Sequence, residues 1–169
     1  VAVQLARKMI DEEKVKLITG IVPSNNMLAV AHTALPRKVF ILSTNAGPSQ
    51  LAGKACSPYF FAASFQNDTT PEAMGLYLTK QGVKNVFLMA ANYAAGKDML
   101  AGFKRGFKGH IVDEIYTPLP QFDFAAELAQ IRAAKPDAVF FFYNAGAASI
   151  NFVKQFAQAG LKGKIPLYA

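Results

Sequence analysis

One run of residues decides the fold class of this chain, Val39-Phe40-Ile41-Leu42-Ser43-Thr44-Asn45-Ala46-Gly47-Pro48. Its first four residues are apolar and predict a buried strand. Three polar residues follow at once, and Gly47 with Pro48 prevents the strand from continuing. In an open parallel sheet, ligands bind just beyond the carboxyl ends of the strands. Residues 43–45 are therefore either contacts for a small polar ligand or simple turn formers, since Ser, Thr and Asn favour turns.

Helices and strands alternate on both sides of this run. Before it, an amphipathic helix over residues 1–14 precedes a β-branched strand at 15–21 and a helix at 25–35, which Ser24 caps. After it, an irregular stretch leads to an apolar segment at 59–62. The remaining predicted strands are 86–90, 111–116, 138–142 and 165–168, and the remaining helices are 71–81, 96–108, 124–134 and 149–159. This alternation is typical of βαβ units, so we predict an α/β fold with parallel sheets. A polar break at residues 64–68 separates two strand–helix series and predicts a boundary at Ala62 to Phe65.

The composition argues against several classes of protein. Hydrophobic residues make up 52% of the chain and charged residues 17%, which is enough apolar material for a core and too little charge for disorder. The net charge of +7 raises nucleic acid as a partner, but the basic residues are scattered. Their densest cluster, at 104–108, is typical of a solvated helix face, so we expect no nucleic-acid partner. No apolar run is long enough to cross a membrane, so we expect no direct membrane insertion. The single cysteine, Cys56, cannot form a disulfide within the chain.

Sequence motifs of enzymatic catalysis are missing. The chain contains no phosphate-binding loop, no dinucleotide-binding glycine motif and no nucleophile elbow. His32 and His110 lie in different predicted elements, without a carboxylate or cysteine at metal-binding spacing. We therefore expect a protein that is not an enzyme and that holds no cofactor or metal.

Polar and aromatic groups recur where the predicted strands end. Ser24 opens a helix whose N-terminal N–H groups suit an anion such as a carboxylate. Tyr93 and Tyr143 follow two later strands, a place from which an aromatic ring can stack on or cover a ligand. The alternative for Ser24 is a plain helix cap, and for each tyrosine it is packing at the top of the sheet. The predicted ligand-binding residues are Ser24, Ser43, Thr44, Asn45, Tyr93 and Tyr143.

Several of these segments resemble the substrate-binding proteins of ABC transporters of the branched-chain amino-acid type, which have the type I periplasmic binding protein fold. The segments that carry the resemblance are Leu17-Ile18-Thr19-Gly20-Ile21 with Ser24, Ile41-Leu42-Ser43-Thr44-Asn45-Ala46, Asn92-Tyr93 with Gly96-Lys97-Asp98, Gly102-Phe103, and Asp123-Phe124 with Leu128, Ile131 and Pro136-Asp137-Ala138-Val139. The resemblance covers nearly the whole chain. It implies two doubly wound parallel-sheet lobes joined by a hinge, incomplete at both ends, with residues 1–63 in the first lobe and 64–169 in the second.

The resemblance also implies a function, namely capture of a small carboxylate-bearing solute in the periplasm for delivery to the permease of an ABC importer. Such capture needs only closure of the lobes over the ligand. By resemblance, Ser24 and Thr44 hold the carboxylate, Ser43 or Asn45 adds contacts, and Tyr93 and Tyr143 cover the ligand. The ligand class stays open between an amino acid and an aromatic or aliphatic carboxylate. A cytosolic or receptor-type ligand sensor of the same fold, and an enzyme of flavodoxin-like architecture, are alternatives, because a fold does not determine a function.

Overall fold

The computed structural model describes residues 1–169 and contains two compact units, Val1–Thr70 and Pro71–Ala169. Each unit has its own parallel sheet with helices packed against it. The predicted α/β class with parallel sheets is therefore confirmed. None of the helices is both long enough and apolar enough to cross a lipid bilayer.

The first unit holds a three-stranded parallel sheet in the order β1-β2-β3. Its elements are α1 (Ala2–Asp11), β1 (Leu17–Thr19), α2 (Ser24–Ala34), β2 (Phe40–Ser43), α3 (Ser49–Ala52) and β3 (Phe60–Ala62). Strand β1 is shorter than predicted because Gly20 follows it with a φ of 82°, a left-handed conformation that ends the strand. The one-turn helix α3 lies in the stretch that we predicted to be irregular.

Only one face of this first sheet is covered. Ile18 of β1 and Ile41 of β2 are buried in a cluster with Met27 and Val30 of α2. On the opposite face, Phe40 and the side chains that neighbour it are exposed. The exposed apolar residues of this face are Leu17, Phe40, Leu42 and Phe61, and we call them the open face. The prediction that residues 39–42 form a buried strand is thus right for alternate residues only, because successive side chains point to opposite faces.

The second unit holds a four-stranded parallel sheet in the order β5-β4-β6-β7. Its elements are α4 (Thr69–Lys80), β4 (Asn85–Ala91), α5 (Ala94–Gly106), β5 (His110–Thr117), α6 (Ala125–Ala134), β6 (Ala138–Phe142), α7 (Ala147–Gln158) and β7 (Leu167–Tyr168). Both faces of the sheet are covered. Met89 and Phe141 pack with α6 and α7 on one face, whereas Leu88 and Phe140 pack with α4 and α5 on the other.

The boundary between the two units lies after Thr70, beyond the predicted crossing at residues 62–65. The polar segment 64–68 stays with the first unit because its backbone is bound to the turn after β2. The Asn67 N–H donates to the Gly47 carbonyl at 2.8 Å. A Cβ at position 47 would lie 2.1 Å from the Phe65 carbonyl oxygen, so only glycine permits this approach. The assignment of residues 1–63 and 64–169 to two lobes stays a prediction.

Candidate ligand-binding site

The turn after β2 separates a structural serine from two accessible polar residues. Ser43 is the last residue of β2 and is fully buried, and its hydroxyl donates to the Ala46 carbonyl at 2.5 Å. This hydrogen bond closes the turn, so the Ser43 side chain acts as the turn former. Thr44 and Asn45 form the bend itself and are exposed. The side chains available to a ligand from this turn are therefore those of Thr44 and Asn45.

Ser24 begins α2, but it does not cap the helix as we predicted. Pro23 occupies the N-cap position, and no side chain makes a capping hydrogen bond there. The Ser24 hydroxyl oxygen instead accepts a hydrogen bond from the Asn67 side-chain amide at 3.1 Å. Ser24 is nearly fully buried, with 3% of its surface exposed. The first N–H groups of α2 have no partner within the helix and give this end a partial positive charge.

Asn67 joins the two predicted carboxylate-binding segments, and the sequence analysis missed it. Its side-chain nitrogen donates to Ser24, and its side-chain oxygen accepts from the Gly47 N–H at 3.3 Å. Asn67 lies in the polar segment after β3, which we interpreted only as a boundary. Ser24, Gly47 and Asn67 follow β1, β2 and β3 respectively, so one buried amide links the segments beyond the carboxyl ends of the whole sheet. A polar break just past a strand was the signal that could have indicated this role.

In the second unit, Tyr93 and Tyr143 are packed core residues with bonded hydroxyl groups. Tyr93 is the N-cap residue of α5, and its hydroxyl donates to the side-chain oxygen of Asn144. The Tyr143 hydroxyl pairs with the Thr117 hydroxyl at 2.8 Å, a partner that the sequence analysis did not single out. Both rings belong to the same buried cluster, as the packing alternative predicts. A ligand contact from either tyrosine stays a prediction.

Burial also sets the protonation state of these two tyrosines. It raises the pKa of Tyr93 to about 12, although the hydrogen bond with Asn144 opposes the shift. Burial likewise raises the pKa of Tyr143 above its ordinary value, and the hydrogen bond with Thr117 opposes this shift too. Both hydroxyl groups are therefore protonated at neutral pH and act as neutral hydrogen-bonding groups.

Other chemically active residue types are dispersed in this structure. No three His, Cys, Asp or Glu side chains come together as a possible metal site. Cys56 is a free, exposed thiol, and His32 and His110 are exposed in α2 and β5.

All of the chain, residues 1–169, matches the profile of the family described as periplasmic binding protein. This chain belongs to the periplasmic binding protein family. The resemblance inferred from the sequence is therefore confirmed.

The relatives of this periplasmic binding protein include both curated sequences and solved structures. A Leu/Ile/Val-binding protein homologue from Brucella melitensis is 28% identical, and the match covers 98% of this chain and 43% of the relative. The crystal structure of a solute-binding protein of an ABC transporter from R. palustris, in complex with benzoate, superposes with a TM-score of 0.91 at 34% identity. The solute-binding protein of an ABC transporter from Rhodopseudomonas palustris BisB5, in complex with 3,4-dihydroxybenzoic acid, gives 0.88 at 36% identity. Both structures match 98% of this chain and 46% of their own, so the chain spans under half the length of these relatives.

Proposed function

We propose that this chain is part of a solute-binding protein that captures a small carboxylate in the periplasm and passes it to the permease of an ABC importer. The observation that carries the proposal is the exposed Thr44 side chain, one residue past the buried end of β2. Hydrogen bonds of Asn67 connect this turn to the start of α2, where several hydrogen-bond donors lie close together. The family membership supports the same reading.

The chemistry of the first unit favours an anion. A carboxylate accepts hydrogen bonds only, so its partners must donate. The Thr44 and Ser24 hydroxyls and the free N–H groups of α2 are all donors. Asn45 adds a side-chain amide, whereas the Ser43 hydroxyl already donates to the Ala46 carbonyl.

We propose an aromatic acid as the first ligand class to test. The two solved relatives carry benzoate and 3,4-dihydroxybenzoic acid, and both acids present a carboxylate on an aromatic ring. Tyr93 and Tyr143 of the second unit are the proposed aromatic contacts, because rings attract each other in stacked or edge-on arrangements. A branched-chain amino acid is the second ligand class to test, because one relative is a Leu/Ile/Val-binding protein homologue. Neither class requires a cofactor.

The decisive variant is Thr44→Ala in the full-length protein. A hydrogen bond to a charged group is worth about 1.5–3 kcal/mol, so the affinity for benzoate should fall about ten- to a hundred-fold. Thr44→Ser keeps the hydroxyl and should lose much less. Calorimetric titrations with benzoate, benzamide and leucine measure the carboxylate preference and separate the two ligand classes.

A matched control is Thr33→Ala in α2, where the threonine hydroxyl donates to the Ala29 carbonyl of its own helix. This change should leave the affinity unaltered. If Thr44→Ala weakens benzoate and benzamide equally, or neither, Thr44 is only a turn former. A full-length protein that binds neither benzoate nor leucine would refute the proposed function itself.

A further inference from the structure

We propose that Asn67 is a positioning residue that makes Ser24 a hydrogen-bond donor to the ligand and thereby selects an anion at the start of α2. The inference rests on the proposed function and adds the residue that sets the polarity of the site. It follows from the direction of each hydrogen bond in a short buried series that runs from Gly47 through Asn67 to Ser24.

The orientation of the Asn67 side-chain amide is fixed by its partners. The backbone N–H of Gly47 can only donate, so the atom that faces it at 3.3 Å must be the amide oxygen. The amide NH₂ group must then face Ser24, at 3.1 Å. The Asn67 backbone N–H holds the residue in place by donating to the Gly47 carbonyl at 2.8 Å. Asn67 is buried, so water does not compete freely for these groups.

The consequence falls on the Ser24 hydroxyl. An amide NH₂ group donates hydrogen bonds and does not accept them, so the Ser24 oxygen must accept from Asn67 and its own proton must point elsewhere. Within the protein, the structure gives that proton no acceptor. Because Ser24 is 3% exposed, its proton is a nearly buried donor without a partner, and such a donor is costly to leave unsatisfied. An oxygen of a bound carboxylate satisfies it, whereas an ammonium group has no acceptor to offer and would leave the proton unpaired.

The hydrogen bonds also strengthen one another. A hydroxyl that accepts one hydrogen bond becomes a better donor of the next, because each bond polarises its neighbour. The position of the Gly47 N–H is fixed, because the backbone of Gly47 packs directly against that of residue 65.

The test is Asn67→Asp in the full-length protein, which changes the shape of the side chain very little. The introduced carboxylate still accepts from the Gly47 N–H, but it now also accepts from Ser24 and reverses that hydrogen bond. Affinity for benzoate should fall by about ten-fold or more, and the preference for benzoate over benzamide should shrink. Thr70→Asp is the charge control, because it adds a carboxylate at an exposed residue in the first turn of α4, three positions after Asn67. It should change the affinity by less than about two-fold.

A double-mutant cycle with Ser24→Ala separates the hydrogen-bond series from simple charge repulsion. If Asn67 acts through Ser24, Asn67→Asp should cost much less affinity in the Ser24→Ala background. An equal loss in both backgrounds would mean repulsion alone and would overturn the inference. Circular dichroism checks the fold, and Asn67→Ala is the second variant should Asn67→Asp fail to fold. It should also lower the ratio of benzoate to benzamide affinity, and an unchanged ratio would overturn the inference.

The two proposals fail in different ways. Benzoate binding that depends on Thr44 but is insensitive to Asn67 would overturn this inference and leave the proposed function standing. A wild-type protein without affinity for benzoate or leucine would refute the proposed function.

Discussion

The two units use the same kind of strand in different surroundings. Residues 39–42 and residues 138–142 are both continuous apolar runs that lead into polar residues. In the second unit every residue of β6 except Phe142 is buried, because helices cover both faces of the sheet. In the first unit β2 alternates between exposed and buried residues, and the open face of its sheet has no helix of residues 1–70 on it.

This difference shows what an apolar strand encodes. A continuous apolar run indicates that both faces of the strand suit an apolar neighbour, as in parallel sheets generally. It does not indicate that both neighbours lie in the same stretch of chain. The comparison can be tested by asking whether equivalent residues of the two sheets contribute differently to the free energy of unfolding.

The largest expected effect separates Phe140→Ala from Phe61→Ala. Phe140 is 2% exposed and its ring stacks on Phe103 with centroids 4.6 Å apart, whereas Phe61 of the open face is 54% exposed. Phe140→Ala should lower the free energy of unfolding by about 3–5 kcal/mol because it leaves a cavity. Phe61→Ala should cost less than about 1 kcal/mol. Urea unfolding followed by circular dichroism measures both, and similar losses would contradict the contrast between the two sheets.

A smaller loss is expected where helices α4 and α5 meet. A Cβ at Gly75 would lie 2.3 Å from the Phe103 carbonyl oxygen, and the backbone there cannot yield easily. Gly75→Ala should therefore destabilise the second unit by about 1–3 kcal/mol. Gly53→Ala in the first unit is the matched control, because the nearest atom to its Cβ would be 3.5 Å away. Equal unfolding midpoints for the two variants would show that α4 and α5 are not closely packed.

Alkaline pH should weaken the second unit through Tyr93. Its pKa is raised to about 12 by burial, whereas in the unfolded chain a tyrosine loses its proton near pH 10. The unfolded state therefore releases the proton first, so stability should fall as the pH rises from about 10 to about 12. Tyr93→Phe should make this fall shallower, in urea unfolding measured across that range. Tyr77→Phe, at a residue that is 49% exposed, is the control, and identical slopes for the two variants would refute the assignment to Tyr93.

The smallest energetic effect concerns the open face itself. An exposed apolar patch binds hydrophobic dyes, so Phe40→Lys combined with Phe61→Lys should reduce dye fluorescence while changing the free energy of unfolding by less than about 1 kcal/mol. The paired control is Ile150→Lys with Val153→Lys, since both residues are exposed on α7 of the second unit. If the control reduces dye binding as strongly, the open face is not the main patch.

Local patterns predicted most of the fold. Strand β6 has the predicted bounds, 138–142, because its apolar run is set off by Pro136 and by polar residues that follow it. Short elements were harder to predict from the sequence. The single turn of α3, for example, has too few residues to show a helical period. The polar residues at 64–68 look like a linker in sequence, but the backbone of Asn67 is bound to Gly47, so this segment belongs to the compact unit Val1–Thr70.

The candidate site was predictable by place but not by role. Ser24, Thr44 and Tyr93 do follow strands β1, β2 and β4, because the order of strands and helices is readable from the alternation of elements, but their contact with a ligand stays a prediction. The role of Asn67 depends on contacts 43 residues away with Ser24 and 20 residues away with Gly47, and no local pattern encodes such pairs. The burial of Tyr143 likewise depends on packing with Phe124, the N-cap residue of α6, and with Phe152 of α7.

The strand order of the second sheet has a consequence for the order in which it can assemble. Strand β4 comes first in the chain, β5 pairs on one side of it, β6 on the other, and β7 beside β6. Each strand in turn thus joins a free edge, and none has to be inserted between two strands that are already paired. The sheet can therefore grow outward from β4 as the polypeptide is synthesised. The amide protons of β4 and β6, the two strands that are flanked on both sides, should exchange with solvent more slowly than those of the edge strands β5 and β7.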